Sequence, residues 1–381
     1  MAQAPVFDID PAEFHADPYP TLAAMQAKAP IAYVPQLGAT LFTRRNDIFE
    51  QEKRIDTFSS DQPGGLMTLL MGENMMRKDG AAHMAERKAT FAAFSPKTVL
   101  RDWLPRFQEA ADAILDHLAP RGGCDLVSDY AMPISGEALR VITGLETLTA
   151  AEIDQASQAM IDGISNYAGD EVIESRCKAA TAKLDAAVDA VSAPGEMSLI
   201  AVQRAAGISD YSTKANVKLA ISGGQNEPRD AIAGAAWALL TYPEQLALVH
   251  ENKATWRNVF EEYARWISPI GMSPRRVARV DRVNDLDFEP ESRVFFMFGA
   301  GNRDPEVFDN PDRFDVLRDT SKSIAFGAGP HFCAGAAASR ALIAEVALPK
   351  LFERFPDIRL SGDVPFAGWA FRGPLKMPVV W

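Results

Sequence analysis

One cysteine, Cys333, lies in a segment whose composition favours thiolate chemistry. Glycines stand at positions 327, 329 and 335, and the run AGAAASRALIAEVALPKLF that follows predicts a long helix. A sulfur at the amino terminus of a helix is stabilised as the thiolate, because the free N–H groups and the helix dipole favour negative charge there. The glycines would let the backbone approach a flat ligand without clashes from Cβ atoms.

The other two cysteines, Cys124 and Cys177, are far from each other and from Cys333 in sequence. An odd count at such spacings favours neither a disulfide framework nor a CxxC metal site. A thiol hydrolase built on Cys333 and His331 is a competing interpretation, and it requires both side chains within hydrogen-bond reach. Residues two apart rarely point in the same direction, so this reading is the weaker one.

The segment from Phe326 to Gly335 resembles the haem-binding loop of the cytochrome P450 family, which reads Phe-x-x-Gly-x-His-x-Cys-x-Gly. Every fixed position matches, namely Phe326, Gly329, His331, Cys333 and Gly335. The resemblance implies a mainly α cytochrome P450 fold with small flanking β-sheets, in a single domain over 1–381. It also implies heme b (iron protoporphyrin IX) as cofactor, with Cys333 as the metal ligand and Phe326, Gly329, His331 and Gly335 at the cofactor.

Further motifs follow in the order typical of that family. Glu262-Tyr-Ala-Arg265 resembles its Glu-x-x-Arg motif, which puts opposite charges three residues apart on one helix face. Asn302–Pro305 and Pro311–Phe314 resemble the meander before the haem loop. The resemblance makes Arg313 the third member of a buried network with Glu262 and Arg265, for which we expect a structural role.

Haem carries two carboxylates that need cations and hydrogen-bond donors when they are buried. The family pattern implies four residues for this task, His83, Arg87, Arg276 and His331. Arg276 is chosen over Arg275 because Arg276-Val-Ala fits the family's Arg-x-Ala spacing.

The chain departs from the family in the helix that crosses the haem. The usual acid–alcohol pair is replaced in the segment Gly223-Gly-Gln-Asn-Glu-Pro228, with Asn226 in the acid position and Glu227 in the alcohol position. Pro228, placed inside one helix over 211–241, predicts a kink. Glu227 then either turns to solvent or acts as the distal acid–base group beside the bound oxidant, and Asn226 is the second candidate catalytic residue.

The Glu-Pro step and the segment Gly-Trp-Ala-Phe-Arg-Gly-Pro resemble the bacterial P450 subgroup that O-demethylates methoxyphenols such as guaiacol. We therefore expect a monooxygenase that hydroxylates or O-demethylates a small aromatic substrate with O2. A peroxygenase driven by H2O2 through Glu227, and a haem-binding sensor without turnover, are the alternatives. The predicted substrate pocket contains Leu70, Ile164, Gly223, Ile270, Phe296, Trp369 and Phe371.

Partners and location follow from what the sequence lacks. Neither a dinucleotide motif nor an iron–sulfur motif is found, so electrons should come from a separate ferredoxin with its ferredoxin reductase, or from a flavoprotein reductase. Lys88 and neighbouring basic residues are candidates for a local docking patch. The net charge of −12 argues against binding to nucleic acid or anionic membranes, and we expect a cytoplasmic protein because no signal segment or long apolar run is found.

Helical periodicity dominates the 381 residues. It predicts helices near 18–28, 83–94, 97–118, 148–165, 171–191, 211–241, 253–266 and 334–353. Alternating patterns predict short strands near 31–34, 39–43, 275–280, 292–298 and 377–381. No internal repeat or linker is found, which agrees with a single domain.

Overall fold

A computed structural model describes residues 3–166 and 169–381. Its helices are α1 (Pro11–Ala16), α2 (Tyr19–Lys28), α3 (Arg45–Gln51), α4 (Leu66–Met71), α5 (Gly80–Phe94), α6 (Pro96–Thr98), α7 (Leu104–Leu118), α8 (Met132–Thr143), α9 (Ala150–Ile164), α10 (Glu171–Ala190), α11 (Leu199–Ala205), α12 (Asp210–Ser222), α13 (Asn226–Thr241), α14 (Pro243–His250), α15 (Trp256–Ile267), α16 (Phe298–Gly301), α17 (Ala336–Arg340) and α18 (Leu348–Arg354). Segments of π-helix extend several of them, at Val99–Trp103, Val127–Ala131 and Ala341–Ala347.

The strands are short. They are β1 (Ile31–Val34), β2 (Ala39–Phe42), β3 (Phe58–Ser59), β4 (Gly123–Asp125), β5 (Ser273–Val277), β6 (Asp281–Val283), β7 (Leu286–Phe288), β8 (Arg293–Phe296), β9 (Arg359–Leu360), β10 (Phe366–Ala367), β11 (Gly373–Pro374) and β12 (Pro378–Val380). The predicted mixture of many helices and small sheets is therefore present.

Most long helices match the periodic runs in the sequence, but the predicted helix over 211–241 is wrong. It is two helices, α12 and α13, separated by three residues at 223–225.

Helix α8 was not predicted, because Pro133, Ser135 and Gly136 interrupt its apolar pattern. Pro133 is the second residue of α8 and directly follows the junction with the π-helical segment Val127–Ala131. Gly136 is required by packing, since a Cβ there would lie 2.8 Å from the Cβ of Ala150.

The described chain divides into two compact units, each made of several separate segments. The first unit contains residues 3–61, 234–333 and 364–375. The second contains 62–166, 169–233, 334–363 and 376–381. A single domain over 1–381 stays a prediction.

The first unit is organised by a five-stranded sheet in the order β1-β2-β8-β5-β3. Strands β2 and β8 are parallel, with Phe42 opposite Phe296, and the other neighbours are antiparallel. One face of the sheet buries an aromatic cluster of Phe42, Phe58, Phe288 and Phe296, whose ring centroids lie 5.4–5.7 Å apart. This packing fixes β5, the strand that carries Arg275 and Arg276.

The second unit is mainly helical. Helices α4, α8, α9, α10 and α12 bury a common apolar core that includes Met71, Leu139, Met160, Leu184 and Ile221. A three-stranded sheet in the order β4-β12-β9 closes this unit with the last residues of the chain. Within the described ranges, none of the helices has both the length and the apolar character needed to span a bilayer.

Candidate functional site

The cysteine loop, residues 326–333, ends three positions before α17 begins. Gly327 and Gly329 have φ angles of 72° and 63°, in the left-handed region that favours glycine. The Cys333 N–H donates to the Phe326 carbonyl oxygen at 2.9 Å, which closes the loop. Cys333 is half-buried. The loop thus presents Cys333 directly before the start of a helix.

The other cysteines lie in structural positions. Cys177 is fully buried in α10, and a Cβ on Gly163 would lie 2.5 Å from its Sγ. Burial raises the pKa of the Cys177 thiol and raises that of Cys124, in β4, to about 12. Both thiols are held in the neutral form, which is a poor metal ligand and a poor nucleophile.

A buried ion pair that sequence reasoning missed lies against the cysteine loop. Glu52, the residue after α3, accepts hydrogen bonds from Arg275 Nη2 at 2.9 Å and from the Ala328 N–H at 2.5 Å. The side chains of Glu52 and Arg275 are only 2% and 3% exposed. The local sequence Gln-Glu-Lys-Arg gives no sign of this role, because such a run is typical of a solvated helix end.

The two adjacent arginines of β5 therefore have different surroundings. Arg275 is committed to Glu52, whereas Arg276 is half-buried among more exposed groups. Arg276 Nη1 lies 2.6 Å from a carboxylate oxygen of Glu291, and its Nε donates to the Asp61 carbonyl oxygen. Of the pair, Arg276 is the one whose present partners are exposed carboxylates that an incoming carboxylate could replace.

The remaining predicted propionate ligands lie in different parts of the chain. His83 and Arg87 are one turn apart on α5, in the second unit, where His83 is buried and Arg87 half-buried. His331 is half-buried in the cysteine loop of the first unit. Their common role as cofactor ligands stays a prediction.

Glu262 and Arg265 form a bidentate ion pair on α15, with N–O distances of 2.7 and 2.9 Å. Both side chains are 0% exposed. Arg265 also donates to the backbone carbonyls of Asn302, Pro311 and Arg313. The charge of each partner is thereby compensated, as burial requires. The network links α15 to the meander segment within the first unit.

Arg313 contributes to this network only through its carbonyl oxygen, because its side chain is exposed. The second guanidinium at Glu262 is that of Arg318, whose Nε lies 3.2 Å from Glu262 Oε1. The prediction of an Arg313 side chain in the network is wrong. The motif spacing located the right segment, but the turn at 315–318 brings Arg318 to Glu262 instead.

The segment that replaces the acid–alcohol pair lies at a break between helices. Helix α12 ends at Ser222 and α13 begins at Asn226, so Pro228 lies in the first turn of α13. The predicted interior kink at Pro228 is therefore wrong. A first-turn proline interrupts no hydrogen bond, and the helical structure is interrupted at residues 223–225 instead.

Several side-chain oxygens at this break are buried without a hydrogen-bond donor among the described residues. They are Gln225 Oε1, Asn226 Oδ1 and Glu227 Oε2. Burial raises the pKa of the Glu227 carboxyl to about 8, against the effect of its own backbone N–H and of Arg229. Burial also raises the pKa of Asp230 to about 6, although Arg229 Nε lies 3.0 Å from its Oδ1.

Two of the predicted pocket residues of the second unit, Leu70 and Ile164, lie near one another on the helical core. Leu70 and Ile164 are partly buried and pack against the same apolar cluster. A Cβ on Gly163 would lie 3.2 Å from Leu70 Cδ1, which places α4 and α9 in close contact. Gly223 is exposed at the break after α12.

In the first unit, Ile270 and Phe371 are half-buried and are joined by an antiparallel bridge. Trp369 packs against Phe14 and Phe295, with ring centroids at 5.4 and 5.9 Å. The prediction for Phe296 is wrong, because its ring is fully buried in the aromatic cluster beneath the sheet and has no surface left for a substrate.

Comparisons with known proteins agree with these motifs. The family model for cytochrome P450 matches residues 256–356. Cytochrome P450 107B1 of Saccharopolyspora erythraea is 30% identical over 322 residues, covering 81% of this chain and 77% of the relative. The 6-deoxyerythronolide B hydroxylase of the same organism is 28% identical over 402 residues, with 98% of each chain covered.

Solved structures show the same fold. The epothilone D-bound cytochrome P450epoK has a TM-score of 0.87 and 23% identity, covering 98% of this chain and 99% of that one. The mainly α cytochrome P450 fold predicted from the sequence is confirmed. Together with the relative at 30% identity, these matches show that the chain belongs to the cytochrome P450 family of monooxygenases.

Proposed function

We propose that this chain is a haem-thiolate monooxygenase in which Cys333 ligates the iron of heme b. The observation that supports this most strongly is the closed, glycine-rich loop that presents Cys333 directly before α17, in a chain of this family. The other two thiols are buried and held neutral, so they do not compete as ligands.

The residues present fit the cofactor. Arg87 and Arg276 supply guanidinium groups suited to carboxylates, and His83 and His331 supply further donors. Arg276 already binds carboxylates in this structure. When bound, the haem would supply activation of O2 and transfer of one oxygen atom to a substrate C–H bond, while the other atom leaves as water.

Glu227 is the proposed proton donor for the oxidant. A carboxyl with a pKa of about 8 is mainly protonated at neutral pH, and its Oε2 atom is buried. Within the described part of the chain, the buried side-chain oxygens of Gln225 and Asn226 have no donor, so they would accept hydrogen bonds from water or from a protic oxidant. The three residues thus replace the usual acid and alcohol with an acid and two amide acceptors.

The proposed substrate is a small aromatic methyl ether. Hydroxylation of its methyl group gives a hemiacetal, which collapses to a phenol and formaldehyde; with O2, two electrons and two protons are also consumed and one water is formed. This proposal rests on the Glu227-Pro228 step and on the half-buried Trp369 and Phe371 near the carboxy end. The names of relatives, such as 6-deoxyerythronolide B hydroxylase, support hydroxylation but concern other substrates.

The ligand assignment is tested by Cys333→Ser, with Cys124→Ala and Cys177→Ala as matched controls. Purified wild-type protein and both controls, supplied with haem, should give a ferrous carbonyl complex with the red-shifted band of sulfur ligation. Cys333→Ser should lack that band. A wild-type protein without it, or a serine variant that keeps it, contradicts the proposal.

Peroxide-driven turnover is a second candidate, favoured by the buried Glu227. In this reaction the carboxylate of Glu227 takes a proton from H2O2 and returns it to the departing oxygen, which leaves as water. Product formation with H2O2 should be compared with that from an electron donor system, a ferredoxin with its reductase, and O2. Formaldehyde and phenol in equal amounts support O-demethylation, and their absence across a methoxyphenol panel contradicts the substrate class.

A further inference from the structure

Glu52 contacts the cysteine loop through its side chain and through its backbone. Its Oε2 accepts the Ala328 N–H at 2.5 Å, and its Oε1 faces Arg275 Nη2 at 2.9 Å. A Cβ on Gly329 would lie 3.1 Å from the Glu52 carbonyl oxygen. The loop therefore rests directly on the end of α3, within the first unit.

The loop needs support of this kind. Gly327 and Gly329 have left-handed backbone conformations and no side chains that could anchor them. Ala328, between them, is buried, so its N–H must find an acceptor in the protein. A carboxylate acceptor forms a stronger hydrogen bond than a neutral one, and this bond holds the middle of the loop.

Burial raises the pKa of the Glu52 carboxyl, and Arg275 and the Ala328 N–H oppose this effect by stabilising the charged form. A lone buried carboxylate is strongly disfavoured, whereas one that is paired and hydrogen-bonded on both oxygens is tolerated. Arg275 is fixed in turn by its position on β5, which pairs with β8 in the sheet. A chain of contacts thus runs from the sheet through Arg275 and Glu52 to the loop.

We propose that Glu52 is a positioning residue for Cys333: its carboxylate, held by Arg275, fixes the backbone of loop 326–333 through the N–H of Ala328. This rests on the proposed role of Cys333 as the iron ligand. Glu52 itself touches none of the reacting groups.

The first test is amide hydrogen exchange in the protein without haem. Glu52→Ala should speed exchange at the Ala328 amide by about tenfold, the factor that corresponds to one lost charge-assisted hydrogen bond. Glu52→Gln keeps an acceptor oxygen and should restore slower exchange. Glu50→Gln, an exposed change on the same helix, is the control and should match the wild type. Exchange in β2 and β8 should stay unchanged in all variants.

The second test uses the haem-loaded protein. The fraction of ferrous carbonyl complex with the sulfur-ligated band should fall in Glu52→Ala and stay close to the wild type in Glu50→Gln. Wild-type exchange and an undiminished band in Glu52→Ala, with only a lower thermal midpoint, would overturn the proposal. If Glu52→Ala does not fold, Arg275→Met, which removes the residue that holds the carboxylate, is measured in the same way.

Failure of the proposed function is recognised separately. If the wild-type protein lacks the band, Cys333 is not the ligand, and the exchange rates alone still show whether Glu52 holds the loop. Unchanged exchange at Ala328 in both Glu52→Ala and Arg275→Met overturns the positioning role whatever the spectrum of the wild type.

Discussion

Glu227 combines a buried Oε2 atom, which has no hydrogen-bond donor among the described residues, with a carboxyl pKa of about 8. Burial of such a group lowers the stability of the folded protein, and titratable residues with strongly shifted pKa values cluster at functional sites. The sequence allowed two interpretations of Glu227, a solvated side chain or a catalytic acid. Its shielded Oε2 atom argues against the solvated one.

The pH dependence of turnover should separate the two roles of Glu227. Supplying a proton requires the neutral acid, so O2-driven turnover should fall as the pH rises through about 8. H2O2-driven turnover begins with the carboxylate as base, so it should rise toward the same pH. Initial rates with each oxidant between pH 6 and 9 measure this. In Glu227→Gln both inflections should vanish; if they persist, another group titrates.

The Glu227 carboxyl should also lower the free energy of unfolding at neutral pH. In the unfolded chain it ionises near 4.5, and in the folded protein near 8, so the folded state holds the extra proton between these values. Stability from this group is therefore fully present below pH 4.5 and lost as the pH rises toward 8. We expect Glu227→Gln to raise the free energy of unfolding at pH 7 by about 3 kcal/mol. Denaturant unfolding at pH 5 and pH 7 measures the effect, which should be smaller at pH 5.

The exposed Glu109, on α7, gives the matched control for that measurement. Glu109→Gln should change the free energy of unfolding by less than about 0.5 kcal/mol at either pH. An equal gain in both variants would mean that relief of the net charge of −12, rather than burial of Glu227, is responsible.

At the scale of elements, periodicity located the long helices but not the break between α12 and α13. The predicted helix ran across residues 222–230, although this stretch, SGGQNEPRD, interrupts the apolar pattern. Pro228 was the residue from which we predicted a kink, and the interruption lies at residues 223–225 instead. Gly224 lies in the break at residues 223–225, at a position where a Cβ would clash with its neighbours. The roles of Arg318 and Glu52 could likewise not be predicted from the sequence, because each residue acts through contacts that form only in the folded chain.

Gly224→Ala should therefore be far more damaging than Pro228→Ala. A Cβ at Gly224 would lie 2.5 Å from the Ala220 carbonyl oxygen and 2.9 Å from Leu139 Cδ2, so we expect a loss of about 1–3 kcal/mol. Pro228→Ala, in the first turn of α13, should cost less than about 1 kcal/mol. Thermal unfolding compares them, with Gly195→Ala as control because it has no neighbour within 4 Å. A larger loss in Pro228→Ala would restore the interior-kink interpretation.

At the scale of the whole molecule, the meander network should be essential for stability. Glu262→Gln leaves Arg265 and Arg318 facing a neutral amide in a fully buried place. We expect a loss of about 3 kcal/mol in the free energy of unfolding. Arg313→Ala, which removes only an exposed side chain, should change it by less than about 0.5 kcal/mol. Comparable losses in the two variants would support the network first predicted from the motif.

The same variant tests whether 1–381 behaves as a single domain. The chain passes between the two compact units several times, and neither unit is one continuous segment. Strand β12, from the last residues, pairs with β4 near position 124 to complete the second unit. A unit assembled from distant segments cannot form until much of the chain is in place, so we expect one cooperative transition, with equal calorimetric and van't Hoff enthalpies. Glu262 lies in the first unit, yet Glu262→Gln should lower the midpoint reported by hydrogen exchange in peptides of both units equally. Two resolved transitions, with only the first unit shifted by the substitution, would show that the units unfold independently.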